Sequence, residues 1–164
     1  MHGELQAVVD ESRIRKVLAT YARAIDRMDW ELLRSCYHPD AVEDRGRYRG
    51  SVDGFLEWVR ETLASFESTW HLVGTPLIEI DGDVAWVESY CLGVQRTLPL
   101  EDGRAEDRLI PCRYIDRFER RGGEWRIADR VAVYEPAIAV PAGGADPLGL
   151  ASRRDREDPT YRRP

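Results

Sequence analysis

Between residues 14 and 28 apolar side chains return every three or four positions: Ile14, Val17, Leu18, Tyr21, Ile25 and Met28. That spacing places them on one face of a helix. It predicts an amphipathic first helix, capped by Asp10 or Ser12 and running to about Met28. Asp29 then opens a short second helix, "DWELLRSCY", where its side chain accepts from free backbone N–H groups, and Pro39 is expected to end it. A short strand and turn follow in "AVEDRGRYRGS". Ser51 caps a third helix, with Phe55, Leu56, Val59, Leu63 and Phe66 on its inner side.

Beyond residue 66 the period changes. "TWHLVGTPLIEI", "VAWVESYCLGVQRTL", "RLIPCRYIDRFER" and "EWRIADRVAVYE" are rich in β-branched and aromatic residues, separated by the turn signals "DGD", "LEDGRAED" and "RRGGE". They predict a meander of long antiparallel strands. Helices first and strands afterwards imply an α+β fold in which a curved, mostly antiparallel sheet wraps around the N-terminal helices. Residues 137–164 are dominated by Pro, Gly, Ala and charge, and read as a tail, disordered or lying on a neighbouring subunit. The folded domain is therefore expected to span residues 1–136.

Composition narrows the function classes. A chain of 164 residues is most simply one domain and buries about 70% of its unfolded surface, enough for a core with a pocket. Apolar residues make up 43% and charged residues 33%, as in ordinary globular proteins. With a formal net charge of −6 and no dominant basic patch, nucleic acid is not an expected partner; Arg117 to Arg121 read as solvated strand ends. Cys36, Cys91 and Cys112 form no CxxC pair and are odd in number, which points away from a disulfide framework or a zinc knuckle. No apolar run reaches the ~20 residues that cross a bilayer, and the N-terminus lacks the apolar core of a signal peptide. A cytoplasmic protein without a membrane partner is expected.

Few residues are left to carry chemistry. His2 lies in the terminus, and His38 precedes a proline at a helix end, where the helix dipole accounts for it. His71 stands early in a strand among Trp70, Leu72 and Val73; alone, such a histidine is more often a satisfied core residue than a catalyst. Asp26 sits beside the apolar stripe of the first helix, where pairing with Arg23 or Arg27 would explain it equally. Tyr21, on the stripe, is more often core than donor. In the last strand, alternation puts Trp125, Ile127, Val131 and Val133 on one face and Ala128, Arg130, Ala132 and Tyr134 on the other. Two alanines beside Arg130 leave volume for a ligand, although an edge arginine bonded to Asp129 or Glu135 fits the spacing as well.

Three stretches, "IRKVLATYARAIDRMDWELLRSCYHPDAVED", "TWHLVGTPLIEIDGDVAWVESY" and "RYIDRFERRGGEWRIADRVAVYE", resemble the SnoaL-like branch of the nuclear transport factor 2-like superfamily. That branch is similar to scytalone dehydratase, hexachlorocyclohexane dehydrochlorinase and bile-acid dehydratase. The resemblance implies a cone-shaped α+β barrel. Its lyase members pair an aspartate ending the first helix with a histidine opening the strand after the third helix; Asp26 and His71 hold those places. It also implies a role for Arg130 on the last strand and for Tyr21 in the pocket. Two positions depart from it. Val94 stands about where scytalone dehydratase has a second histidine, and Ala22, Arg23 and Ala24 stand where the dehydrochlorinase has a lysine.

The expected activity is thus that of a cofactor-independent lyase, eliminating a β leaving group or cleaving a C–C bond by a retro-aldol step. An isomerase or cyclase on the same scaffold, and a non-catalytic subunit like the small subunits of ring-hydroxylating dioxygenases, are the alternatives. Arg130, with Tyr21 or Tyr114, is the expected donor set for developing negative charge. Trp58, Phe55, Trp86, Tyr90 and Phe118 are available to line the pocket, with Tyr114 and Val94, and favour an aromatic or polycyclic substrate. No metal or other cofactor is expected. A homo-oligomer is, with a trimer ahead of a dimer, as in the relatives named.

Overall fold

The computed structural model describes residues 2–99, 101, 103–143, 149 and 152–162. Three helices, α1 (His2–Asp26), α2 (Trp30–Ser35) and α3 (Val52–Ala64), pack on one side of a sheet. Its strands are β1 (Tyr37–Asp44), β2 (Arg49–Ser51), β3 (Phe66–Val73), β4 (Leu77–Asp81), β5 (Val84–Thr97), β6 (Glu106–Arg121), β7 (Glu124–Tyr134) and β8 (Ile138–Pro141). The main path runs β2-β1-β7-β6-β5-β3, with β4 paired to β5 and β8 to β6. Only the β1–β7 pairing is parallel among these, so the sheet is mixed. This is the cone-shaped α+β fold.

The stripe on α1 is buried as its period requires: Ile14, Leu18, Tyr21, Ala24 and Ile25 are all core residues. The helix begins about three turns earlier than the stripe does. Leu5, Val8 and Val9 on those turns are exposed, so no packing face marked them. Asp10 is consequently not a cap. It lies within α1, where its carboxylate accepts from Trp125 Nε1 at 2.9 Å and Arg120 Nη1 at 2.8 Å.

The end of α1 matters more for function. Met28 is in the left-handed region at φ 53°, and the N–H groups of Met28 and Asp29 return to the carbonyls of Ile25 and Ala24. This is a Schellman closure, usually built on glycine; an L side chain there costs about 1–2 kcal/mol. It ends the helix at Asp26 and turns the chain into α2. Asp29 caps α2 by accepting from Leu32 N at 3.3 Å, and Ser51 caps α3 by accepting from Gly54 N at 3.3 Å. Pro39 does not end α2, which stops at Ser35; it lies inside β1. His38 is likewise a strand residue, its Nε2–H donating to the carbonyl of Glu119 at 2.9 Å.

Two further expectations are corrected. In β7 the strict alternation breaks at Ala128, where the β6 register moves from Arg117↔Asp129 to Phe118↔Ile127. The extra residue resets the phase, so Trp125 and Ile127 are buried together with Arg130 and Ala132. The described part of the C-terminal tail lies on its own chain. β8 extends the sheet, and residues 152–162 cross the end of α1: Arg156 and the Tyr161 hydroxyl donate to Asp29, and Arg27 pairs with Asp158.

Candidate active site

The last turn of α1 carries Asp26 to His71, which lies near the end of β3 and not early in it, because the strand already begins at Phe66. Asp26 Oδ1 lies 2.6 Å from His71 Nδ1, and Asp26 Oδ2 accepts the backbone N–H of His71 at 2.9 Å. Both side chains are nearly buried, at 6% and 10% exposure. A carboxylate at a helix C-terminus and away from water is disfavoured by the dipole and by desolvation, and the two contacts with His71 offset both. The double grip also sets the ring: Asp26 accepts a hydrogen bond from Nδ1–H, and the neutral ring then carries its lone pair on Nε2.

Nε2 faces the backbone of β5 at Gly93, the register partner of His71. A Cβ built on Gly93 would stand 3.5 Å from Nε2. Any larger residue would therefore cover the reactive nitrogen, and glycine leaves it open to a cavity of about 500 Å³. That volume is in the range of small-molecule sites. One wall is apolar: Ile25 from α1, Trp58, Val59 and Leu63 from α3, Phe66 from β3 and Ile110 from β6. The remainder is polar, with Arg45, Arg47, Gln95, Arg108, Tyr134 and Glu135. Cys112 and Tyr114 form the floor. A second concavity, of about 470 Å³ between α1 and the β6–β7 turn, is a surface groove edged by Arg13, Lys16 and Arg126, far in the fold from His71.

Of the residues singled out from sequence, His71, Trp58 and Tyr114 line the cavity, and Asp26 backs His71. Others do not reach it. Arg130 faces inward between its two alanines, but the space they leave is filled by rings rather than by a ligand. Its guanidinium lies between Tyr21 and Tyr114, 4.3 and 4.2 Å from their centroids, and forms a bidentate pair with Asp116 at 2.6 and 2.7 Å. With no exposed surface, Arg130 sits one layer beneath the floor. Tyr21 is also wholly buried, and burial pushes its pKa up to about 12. Phe55 and Phe118 are core residues. Tyr90 and Trp86 are on the convex face at 68% and 55% exposure, because even-numbered β5 positions point away from the helices; Val94 shares that phase.

Arg45 takes the position the sequence suggested for Arg130. It lies just past β1 in "EDRGRYRG", a stretch legible only as strand and turn. Nε donates to Glu43 Oε1 at 2.7 Å, Nη2 to the Tyr21 hydroxyl at 2.5 Å and Nη1 to the Tyr134 hydroxyl at 3.2 Å. Of its five N–H donors, one on Nη1 has no partner among the described residues. Burial raises the pKa of Glu43, against the pull of Arg45 and Arg130. Tyr134, accepting from Arg45, keeps its own hydrogen to donate into the cavity. Arg108, Ile110, Cys112 and Tyr114 alternate along one face of β6, so the inward placement of Tyr114 carries the other three with it.

Among the described residues no group of three or more His, Cys, Asp or Glu side chains is placed to hold a metal ion, and no helix is long and apolar enough to cross a membrane. An uncharacterised protein of Mycobacterium tuberculosis is 28% identical over 130 residues, covering 76% of this chain and 84% of that protein. Solved structures share the fold, among them two dehydrochlorinases. The type 2 hexachlorocyclohexane dehydrochlorinase has a TM-score of 0.78 at 18% identity, over 90% of this chain and 99% of that one. The type 3 enzyme of Novosphingobium barchaimii has a TM-score of 0.73 at 16% identity, over 90% and 99%. The SnoaL-like domain matches residues 6–131. Fold and sequence agree: the chain belongs to the SnoaL-like domain family, within the nuclear transport factor 2-like superfamily.

Proposed function

We propose that this protein is a cofactor-independent lyase that eliminates a β-substituent from a small, largely apolar ring compound. The observation that carries the reading is the 2.6 Å contact between His71 Nδ1 and Asp26, with Nε2 turned to a cavity of ligand size. In the forward step Nε2 takes a proton from carbon. The C–H electron pair becomes the new double bond, and the substituent departs with the pair of its own bond. Asp26 holds the tautomer and stabilises the imidazolium, which then returns its proton to the leaving group. Negative charge building on the substrate is met by the spare N–H of Arg45 and the hydroxyl of Tyr134 on the opposite wall. The activity of the two dehydrochlorinases of like fold supports an elimination, and the apolar wall supports a ring compound.

The test is turnover of a panel of hydroxylated and halogenated ring compounds by the wild type, His71→Ala and Asp26→Asn. Each substitution is expected to lower kcat by at least ~10²-fold with the fold intact by circular dichroism. Turnover that is the same in all three proteins would make the cavity a binding site and not a catalytic one.

A further inference from the structure

The charges at the cavity say more about its ligand than the dyad does. The chain has a formal net charge of −6, yet three arginines and a single carboxylate, Glu135, line this space. Arg45 is committed to Glu43 and two tyrosines, but the other two are not so bound. Arg47 has no ion-pair or hydrogen-bond partner for its guanidinium among the described residues. Among the described residues the Arg108 guanidinium is bonded only to Glu106, at 3.4 Å, in a pair with both side chains more than a third exposed. Such a contact contributes little in water and yields readily to a better-placed anion. Gln95, directly across the β5–β6 ladder from Arg108, adds an uncharged donor on the same face.

Register gives the scale. Gln95 and Arg108 are paired, as are Gly93 and Ile110 two residues further in, and Gly93 is paired with His71. Two strand residues span about 7 Å, so an anion held at Arg108 and Gln95 stands roughly that far along the strands from the row of His71. Leu63, Phe66 and Ile110 give the same cavity its apolar wall, with Ile110 in the row of His71 and Phe66 opposite Thr97, beyond the row of Arg108.

We propose that the ligand of this cavity is an organic anion, a ring compound whose carboxylate is bound by Arg47 and Arg108. Its ring lies on the apolar wall and presents a C–H to His71 from about one ring's length away. The inference rests on reading the cavity as a substrate site and names the class of substrate. Guanidinium suits a carboxylate because two parallel N–H groups match its two oxygens. Glu106, beside Arg108, and Glu135, bonded to Pro111 next to the row of His71, act against anions generally and so favour one whose apolar ring also fits.

Isothermal titration of the full-length protein at pH 7.5 with 2-naphthoate and uncharged 2-naphthamide tests this. The carboxylate is expected to bind about tenfold or more tightly than the amide, the effect of one or two charged hydrogen bonds. In the R47Q/R108Q double variant the two ligands should come within about twofold of each other, with amide affinity unchanged. Equal affinities in the wild type, a preference that survives the double variant, or no binding of either ligand at millimolar concentration would each overturn the proposal. Titrating His71→Ala separates the two readings. A retained carboxylate preference alongside undiminished turnover removes the lyase assignment and leaves the anion site standing; lost preference with His71-dependent turnover does the reverse.

Discussion

A guanidinium with no contact with water survives only where its charge is matched, and Arg130 has both a bidentate carboxylate in Asp116 and an aromatic ring on each face. Such a pair is costly to bury and costlier to break. Replacing Arg130 by Met leaves Asp116 as an uncompensated buried charge and is expected to destabilise the protein by about 3–5 kcal/mol, whereas R130M/D116L, which removes both charges, should cost less than the single change. Urea unfolding of wild type, R130M, D116L and the double variant measures this; additive costs would mean that the pair is not coupled. The same residue marks a limit of sequence reading. Alternation grouped Arg130 with Ala132 but left it either inward or at an edge, and gave no sign of the depth at which Tyr21 and Tyr114 enclose it. Asp26 and His71 were paired by the family resemblance; periodicity alone left each with a structural reading, Asp26 beside an arginine and His71 as a core residue. Arg45, in a turn without periodicity, carried no such mark.

At the level of elements, β5, β6 and β7 were visible in the return of β-branched and aromatic residues, and the turns between them in Gly and Asp, whereas β3 and β4 read as one strand, "TWHLVGTPLIEI". Hidden from that pattern were features decided by tertiary contacts: the unpacked first turns of α1, the bulge at Ala128, and the docking of residues 152–162. The docking bears on the site. Arg154 donates to the carbonyls of Phe66 at 2.5 Å and Leu63 at 3.1 Å, while Asp29, just after α1, receives Arg156 and Tyr161. The segment thus joins the element that supplies Asp26 to the junction that leads into β3 and His71. Arg154→Ala should lower stability by about 1.5–3 kcal/mol, as for charged hydrogen bonds. It should also speed hydrogen exchange at the His71 amide, whose acceptor is Asp26 Oδ2. Arg153→Ala, whose guanidinium pairs among the described residues only with the exposed Asp155, is the control. Equal exchange rates at His71 in all three proteins would confine the segment to a role away from the dyad.

For the whole molecule, the sheet's two faces set opposite demands. The concave face is satisfied by the helices and the cavity, but the convex face presents Trp70, Leu72, Trp86, Tyr90, Ile115 and Val131 to solvent. Trp70, Leu72, Trp86 and Tyr90 are each more than half exposed, and contiguous apolar surface of that kind on a sheet usually marks an interface. The residues expected from sequence to hold a ring compound inside the cone are thus, for Trp86 and Tyr90, placed where a second copy of the chain would cover them. Their phase on β5 decides this: period two sends them outward whenever Val87, Cys91 and Gly93 face in. Sedimentation should accordingly give a mass at a multiple of 18.8 kDa, with three copies expected ahead of two. Trp86→Glu combined with Tyr90→Glu places two charges in the face and should shift the protein to monomer at micromolar concentration. His71 is on the other side of the sheet, so the naphthoate titration on that monomer asks a separate question: whether one chain builds the anion site alone. Affinity equal to the wild type's means that it does. A wild type that sediments as a monomer at all concentrations would leave the convex face without a homotypic partner and end the oligomer expectation.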